Sequence, residues 1–307
     1  MATIELKHVV GNSYFCSGRL SIGVYVHNKV AVLIDSGIDK DSAKDVDKAL
    51  NAKGYTVGAI INTHHHPDHC GGNAYFQKKY PDLRIFASKF ESLFIDTPYL
   101  QPLCFCGGAL PFSDIRNKFL EVAESSVVTD VISAYKDQTI TICGSEFTII
   151  TLPGHTHQSI GVISPDNVFY TGDSFFGEET LNKHGALYYT NIGDTLQSFR
   201  KLTTLTPTAT VFYHGGLMQG TIAESIPQHE IRLMHTVDMV QAMVQESPTG
   251  LSIDEIAQKV IQNYSIPASA VSWMLTRTNV NAIVAYLCNE KKLKLTTHNA
   301  LLRAERP

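Results

Sequence analysis

The sequence has no apolar run approaching the roughly 20 residues that a helix needs to cross a bilayer. Residues 1–16 lack the basic segment and apolar stretch of an export signal, so the expectation is a cytoplasmic protein, neither secreted nor membrane-spanning. Cysteine is sparse. Six residues (Cys16, Cys70, Cys104, Cys106, Cys143, Cys288) stand without paired zinc-finger spacing, which disfavours a disulfide scaffold and points to reduced thiols. Cys104 and Cys106 are expected to be small buried side chains. Low-complexity tracts and short-period repeats are absent. A surplus of positive charge is missing too: 25 Lys and Arg against 29 Asp and Glu leave a net charge of -4. That argues against nonspecific attachment to nucleic acid, which rests on neutralising phosphates. The distribution is uneven, with 7 basic and 4 acidic residues in 251–307 and 18 against 25 before it. An acidic partner, nucleic acid included, would therefore meet the tail and not the body.

What is present is a chain of 307 residues, 44% hydrophobic and 18% charged, long enough to bury a large core. Residues 20–27 and 30–35 are β-rich runs separated by an Asn28-Lys29 turn, which predicts a hairpin. Apolar residues at helical spacing predict a helix over 41–53, a strand follows at 57–62, and a second helix runs from about Gly71 to Tyr80. Residues 92–125 mix Pro and Gly with Phe94, Tyr99, Leu100, Phe105 and Phe112, the composition of a pocket lid, an oligomer contact or a packed surface excursion. A second strand-rich set falls at 139–143, 146–152, 160–164 and 168–171, then a helix at 194–205 and a strand at 209–213. Two such halves fit a layered α/β sandwich. The domain expectation is 1–225 as the catalytic unit and 226–307 as a small, mainly helical unit. Within the latter, helices are expected at 230–245, at 252–264 behind a Ser252/Glu255 capping box, and on to about Glu290. A small hairpin at 292–302 would complete a generic winged-helix-like pattern.

The chemistry concentrates in Asn62-Thr63-His64-His65-His66-Pro67-Asp68-His69-Cys70-Gly71-Gly72, directly after a buried strand. In extended chain His64 and His66 point to one side and His65 to the other, so the first two can converge on one ion. Pro67 bends the chain, and Asp68 and His69 are presented at a helix start within reach of a second ion. Three later strand ends also carry ligand types: Gly154-His155, Gly172-Asp173 and His214-Gly215-Gly216. Asp35, ending the strand 30–35, is a candidate to orient a ligand imidazole from behind or to cap its own turn. His65 and His157 flank ligands and are expected to face away or sit at the rim. Phe175, Phe176, His184, Tyr188 and Tyr189 follow Asp173 and are candidates for the pocket wall.

His64, His66, Asp68 and His69 match the H-x-H-x-D-H motif, and the sequence from about residue 20 to 216 resembles the metallo-β-lactamase superfamily, with His155, Asp173 and His214 in the family's order. The resemblance implies a four-layer αββα sandwich with metals at one edge between the sheets. It implies that His64, His66 and His155 hold one ion, that Asp68, His69 and His214 hold the other, and that Asp173 bridges them. Imidazole and carboxylate ligands suit two divalent ions per chain, with zinc first and iron or manganese as alternatives. Two such ions set against Asp68, Asp173 and a bridging hydroxide leave about one net positive charge to polarise a substrate oxygen.

The expected activity is hydrolysis of an ester, thioester or lactone-type small molecule by metal-bound hydroxide, with Asp68 assisting proton transfer and Asp173 as a second catalytic carboxylate. True β-lactamases of the common binuclear class use Cys in the second site, where this chain has His69, and the family's diiron reductases carry Glu in place of His66. A mononuclear-iron persulfide dioxygenase, a metal-dependent nuclease and a non-catalytic binding module remain as alternatives.

Overall fold

Alternation of apolar residues in the N-terminal half builds a seven-stranded sheet. In the computed structural model, which describes residues 4–183 and 185–307, its order is β1 (Glu5–Val10), β2 (Ser13–Ser17), β3 (Ile22–His27), β4 (Val30–Ile34), β5 (Thr56–Ile61), β6 (Arg84–Ser88) and β7 (Asp130–Ile132). Strands β1 to β4 pair antiparallel, and β4 to β7 pair parallel. Asn28 and Lys29 both take positive φ, 49° and 67°, as the tight β3–β4 hairpin turn requires. The second sheet comprises β8 (Gln138–Ile142), β9 (Ser145–Thr151), β10 (Ile160–Ile163), β11 (Val168–Tyr170), β12 (Ala209–Phe212) and β13 (Gly216–Leu217), antiparallel except for the β11–β12 pair.

The helices are α1 (Lys40–Asn51), α2 (Pro67–Cys70), α3 (Asn73–Lys79), α4 (Lys89–Asp96), α5 (Leu100–Phe105), α6 (Glu178–Lys183), α7 (Ile192–Leu202), α8 (Ile222–Glu246), α9 (Ile253–Asn263) and α10 (Ala270–Asn289). A hairpin of β14 (Lys294–His298) and β15 (Leu301–Glu305) follows.

Period-2 geometry divides each central strand between two cores. Val32, Ile34, Ala59 and Ile61 meet Phe147, Ile149, Val162 and Val211 between the sheets. Leu33 and Ile60 instead point outward to Ala43, Val46 and Leu50 of α1 and Phe76 of α3. Ile150, Leu152, Phe169 and Phe212 on the outer face of the second sheet are covered by α7 and by the C-terminal helices, in one continuous cluster that reaches Val240 and Ile283. The result is a four-layer αββα sandwich whose last layer runs on into the C-terminal helices. Each fully buried Leu or Ile contributes about 1.5–3 kcal/mol to holding these layers together. Among the described residues no helix is long and apolar enough to cross a membrane.

Several local expectations are corrected. Strands β1, β2, β6 and β7 had no sequence counterpart. Residues 92–125 are not wholly irregular: α4 ends and α5 lies within them, and Pro102 is accommodated in the first turn of α5, where backbone N–H groups have no intrahelical partner. Helix α8 begins at Ile222, capped by Thr221 with Glu224, and runs through Pro227. All six cysteines are free as expected, but Cys104 is exposed and Cys106 only half-buried, so neither is a buried side chain.

Candidate metal centre

Five strand ends deliver the ligand types to one edge of the sandwich. Asp35 follows β4, His64 and His66 follow β5, His155 follows β9, Asp173 follows β11 and His214 follows β12. Short helix α2 then carries Asp68 and His69. Beneath it the backbone packs so closely that a Cβ on Gly71 would fall 2.1 Å from the Ile38 carbonyl oxygen, and one on Gly72 2.3 Å from that of Ser36. Glycine is the residue that fits there.

All seven expected ligands come together. The side-chain donor atoms of His64, His66 and His155 lie within 4.8 Å of one another, as do those of Asp68, His69 and His214, and those of His64, His69 and Asp173. His155 Nε2 is 3.0 Å from His66 Nδ1. His214 Nε2 is 3.3 Å from Asp68 Oδ2. Asp173 stands between the groups: its Oδ2 is 3.4 Å from His155 Nε2, while its Oδ1 is 3.3 Å from His69 Nε2 and 3.5 Å from His214 Nε2.

The far nitrogen of three imidazoles is engaged, which fixes the tautomer. His69 Nδ1 donates to Asp35 Oδ2 at 2.7 Å, His155 Nδ1 donates to the Tyr188 carbonyl at 3.0 Å, and His64 Nδ1 donates to Thr63 Oγ1 at 3.1 Å. Thr63 in turn donates its hydroxyl and its backbone N–H to Asp35, each at 2.8 Å. Nε2 is then the nitrogen that faces the other ligand types, without a hydrogen-bond partner among the described residues in His64 and His69 and 3.0 Å from His66 Nδ1 in His155. Asp35 is fully buried and holds φ at +65°, an uncommon conformation for a non-glycine residue at this hub.

Electrostatics separates the two groups. Burial, then the neighbouring imidazoles, holds His64 and His66 well below the ordinary histidine range, and burial also lowers His155. For His69 and His214 burial acts in the same sense, but the carboxylates around them outweigh it and both are raised. Burial by itself would raise Asp68, yet His69 and His214 hold it at about 2, and the same neighbours hold Asp173 low.

Does this donor set fit cations? His64 Nε2, His69 Nε2 and Asp173 Oδ1 are buried with no hydrogen-bond partner among the described residues. Asp173 Oδ1 and His69 Nε2 are close enough to attract, but are not aligned for a hydrogen bond. Buried lone pairs left unpaired are costly, and a cation between them removes the cost. The residues therefore fit divalent metal. Asp68 and His214 each keep about a quarter of the side chain exposed, which marks the open side of the site.

The pocket-wall candidates divide. Tyr188 lies 5.8 Å from the His66 ring and Phe176 6.2 Å from the His214 ring, centroid to centroid, so both border the ligands. Phe175 is fully buried against Phe169 and Phe212, away from the ligands, and Tyr189 is buried in the same core with its ring 6.4 Å from that of His155. His184 lies outside the described residues. His65 does turn away: it pairs with Glu91 and stacks on Phe94 at 4.2 Å. His157 is exposed.

Three side chains went unread in the sequence. Fully buried Glu91 accepts from the backbone N–H of His65 at 3.1 Å, from Thr156 Oγ1 at 2.8 Å and from the backbone N–H of Gln158 at 3.0 Å. It thus ties the His64–His66 loop to the His155 loop. Tyr213 stacks on His69 at 3.8 Å and donates its hydroxyl to the Asp68 carbonyl. Thr63 is the third. Its place beside His64 was a local signal; Glu91 had none.

A family model described as the metallo-beta-lactamase superfamily matches residues 19–214. A hydroxyacylglutathione hydrolase from Synechococcus sp. is 26% identical over 183 residues, which cover 57% of this chain and 57% of that protein. One from Prochlorococcus marinus is 40% identical over 70 residues, 23% of this chain and 26% of the relative. The chain thus spans little more than half the length of the first of these curated relatives and about a quarter of the second. Among solved structures, a beta-lactamase domain protein from Burkholderia ambifaria superposes with a TM-score of 0.74 at 15% identity, covering 100% of this chain and 94% of that one. A metallo-beta-lactamase family protein from Thermus thermophilus gives 0.72 at 15%, covering 100% and 99%. At these identities the structural likeness shows the fold.

Proposed function

This chain belongs to the metallo-β-lactamase superfamily, and from that premise we propose that it is a divalent-metal-dependent hydrolase of a small molecule with a thioester or related ester-type carbonyl. The observation that carries the reading is the placement of Asp173 between two complete ligand groups, one of imidazoles and one containing Asp68. His64, His66 and His155 would hold one ion, Asp68, His69 and His214 the other, with Asp173 shared between them and zinc the first choice of metal. Bound there, the ions supply Lewis acidity and lower the pKa of water toward neutrality. The relatives named hydroxyacylglutathione hydrolase favour the thioester among the carbonyl classes, since an acylglutathione is one.

The chain's own residues do the rest. Asp35, Thr63 and the Tyr188 carbonyl hold three imidazoles in the tautomer that aims Nε2 inward. Asp68, ionised and on the open side, can accept a proton and return it to a leaving group. Phe176 and Tyr188 narrow the approach and exclude bulk water. In this reading residues 1–225 form the catalytic unit and 226–307 a helical unit. The second ligand group weighs against the single-iron dioxygenase, which needs one.

The test is metal quantification followed by a panel of thioester, lactone, phosphodiester and persulfide substrates. Two equivalents of metal with thioester turnover that vanishes on chelation is the expected result. One equivalent of iron with oxygen uptake on the persulfide, or full turnover in the stripped protein, overturns it.

A further inference from the structure

We propose that two buried polar side chains of the C-terminal helices, Asn279 of α10 and His229 of α8, are positioning residues of the metal centre, each holding a loop that carries a ligand. The inference rests on the metal-binding reading above and assigns the C-terminal helices a part in it.

Asn279 is 4% exposed. Its Nδ2 donates to the Leu187 carbonyl at 2.9 Å, and its Oδ1 accepts from the Tyr189 N–H at 3.4 Å. The residue between those two contacts is Tyr188, whose carbonyl accepts from His155 Nδ1 at 3.0 Å. The strap is pinned beyond that point as well, because Thr190 and Asn191 donate their N–H groups to the Gly154 carbonyl at 2.8 and 3.1 Å. The helix therefore reaches His155 through one carbonyl, the one that decides which nitrogen of the ring faces inward.

His229 is 1% exposed. Its Nδ1 is 3.1 Å from the Ser225 carbonyl one helical turn back, and its Nε2 is 3.0 Å from both the backbone nitrogen and the carbonyl oxygen of Phe176. Phe176 lies three residues beyond Asp173, and Asp173 itself sits in a turn over 171–174 closed by Ser174, which donates its N–H and its hydroxyl to the Thr171 carbonyl at 3.3 and 2.8 Å. An amide and an imidazole beside an apolar cluster that includes Val237, Val240, Ile283 and Leu287 would be costly without partners. Apart from the Ser225 carbonyl on α8, their partners here are loop backbone groups beside the expected ligands. Asn279 acts on a ligand of one ion, and His229 on the carboxylate shared by both.

The experiment measures Zn²⁺ affinity by chelator competition and the metal-induced rise in Tm on the full chain, with Co²⁺ absorption as a spectroscopic report on ligand geometry. Asn279→Leu, with the same branching and no polar atoms, is expected to weaken one equivalent by about tenfold to a hundredfold, the range for residues that orient metal ligands, and to change the Co²⁺ spectrum. His229→Leu is expected to weaken both equivalents, and His229→Gln, whose amide can still accept from Phe176, to restore most of the loss. Ile283→Ala and Val240→Ala remove volume from the same helices; they should lower Tm in the metal-free protein and leave both affinities within about twofold, as expected for substitutions outside a ligand network. Asn279→Ser serves if the leucine variant does not fold. Wild-type affinities in both the Asn279 variant and His229→Leu, or losses no larger than those of Ile283→Ala, overturn the inference and leave the functional reading standing. A wild-type protein that binds no divalent ion ends both, and is seen before any variant is made.

Discussion

His64, His66 and His155 lie chiefly among other imidazoles, with Asp173 3.4 Å from His155, whereas His69 and His214 lie among Asp35, Asp68 and Asp173. The same side chain is pushed in opposite directions in the two places: burial and mutual repulsion keep the first group neutral, and carboxylates raise the second. The supports differ accordingly. In the first group the far nitrogens rest on neutral oxygens, those of Thr63 and the Tyr188 carbonyl, and in the second His69 rests on a buried carboxylate. What this teaches is that one residue type can offer a metal a neutral or a carboxylate-flanked nitrogen, and that the surroundings decide which.

The comparison breaks most completely at the shared residue. Asp173→Ala is expected to abolish thioester hydrolysis and to lower both metal equivalents, measured by turnover and elemental analysis; loss of a single equivalent would show that Asp173 belongs to one group. Next in size, His66→Ala should abolish turnover while retaining about one equivalent, held by Asp68, His69 and His214. Retention of two would remove His66 from the ligand set. Asp35→Asn keeps volume and a hydrogen-bond acceptor but removes the charge behind His69. It should weaken the second equivalent about tenfold to a hundredfold and the first by less, since Asp35 reaches His64 only through Thr63, a split read by chelator competition.

The smallest effect is on stability. Burial by itself would raise Glu91, but its contacts with His65, Thr156 and Gln158 lower it below the ordinary glutamate value. A carboxyl depressed in the folded state contributes stability that is present above about pH 4.3, the unfolded value, and lost as pH falls through the folded one. Urea unfolding of the wild type should therefore weaken in that acid window. Glu91→Gln should be less stable by about 1–3 kcal/mol at neutral pH and flatter below pH 4.3; parallel curves would assign Glu91 no such role.

Much of the site was readable because each ligand announces itself locally. His64, His66, Asp68 and His69 occur within six residues after an apolar strand, and Gly154, Gly172 and Gly215 flag three further strand ends next to a ligand type. Glu91, Tyr213, His229 and Asn279 carry no such flag, because each acts on a loop far away in sequence: Glu91 contacts residues 26 and 67 positions away, and Asn279 a carbonyl 92 away. Proximity to Asp173 along the chain does not say on which side of the second sheet a ring will lie: Phe175 is buried in the core against Phe169 and Phe212, while Phe176, next to it in sequence, borders His214.

Strand and helix periods, the hairpin turn at Asn28 and Lys29, the order of ligand types and hence the superfamily were determined by the sequence alone, since each depends on residues near one another or on their succession. The pairing of imidazoles with carboxylates, the tautomer of each ring, and the bond between the C-terminal helices and the ligand loops were decided only in the tertiary structure. Those properties depend on distances of about 3 Å between groups brought together by layer packing, and no local pattern encodes such a distance.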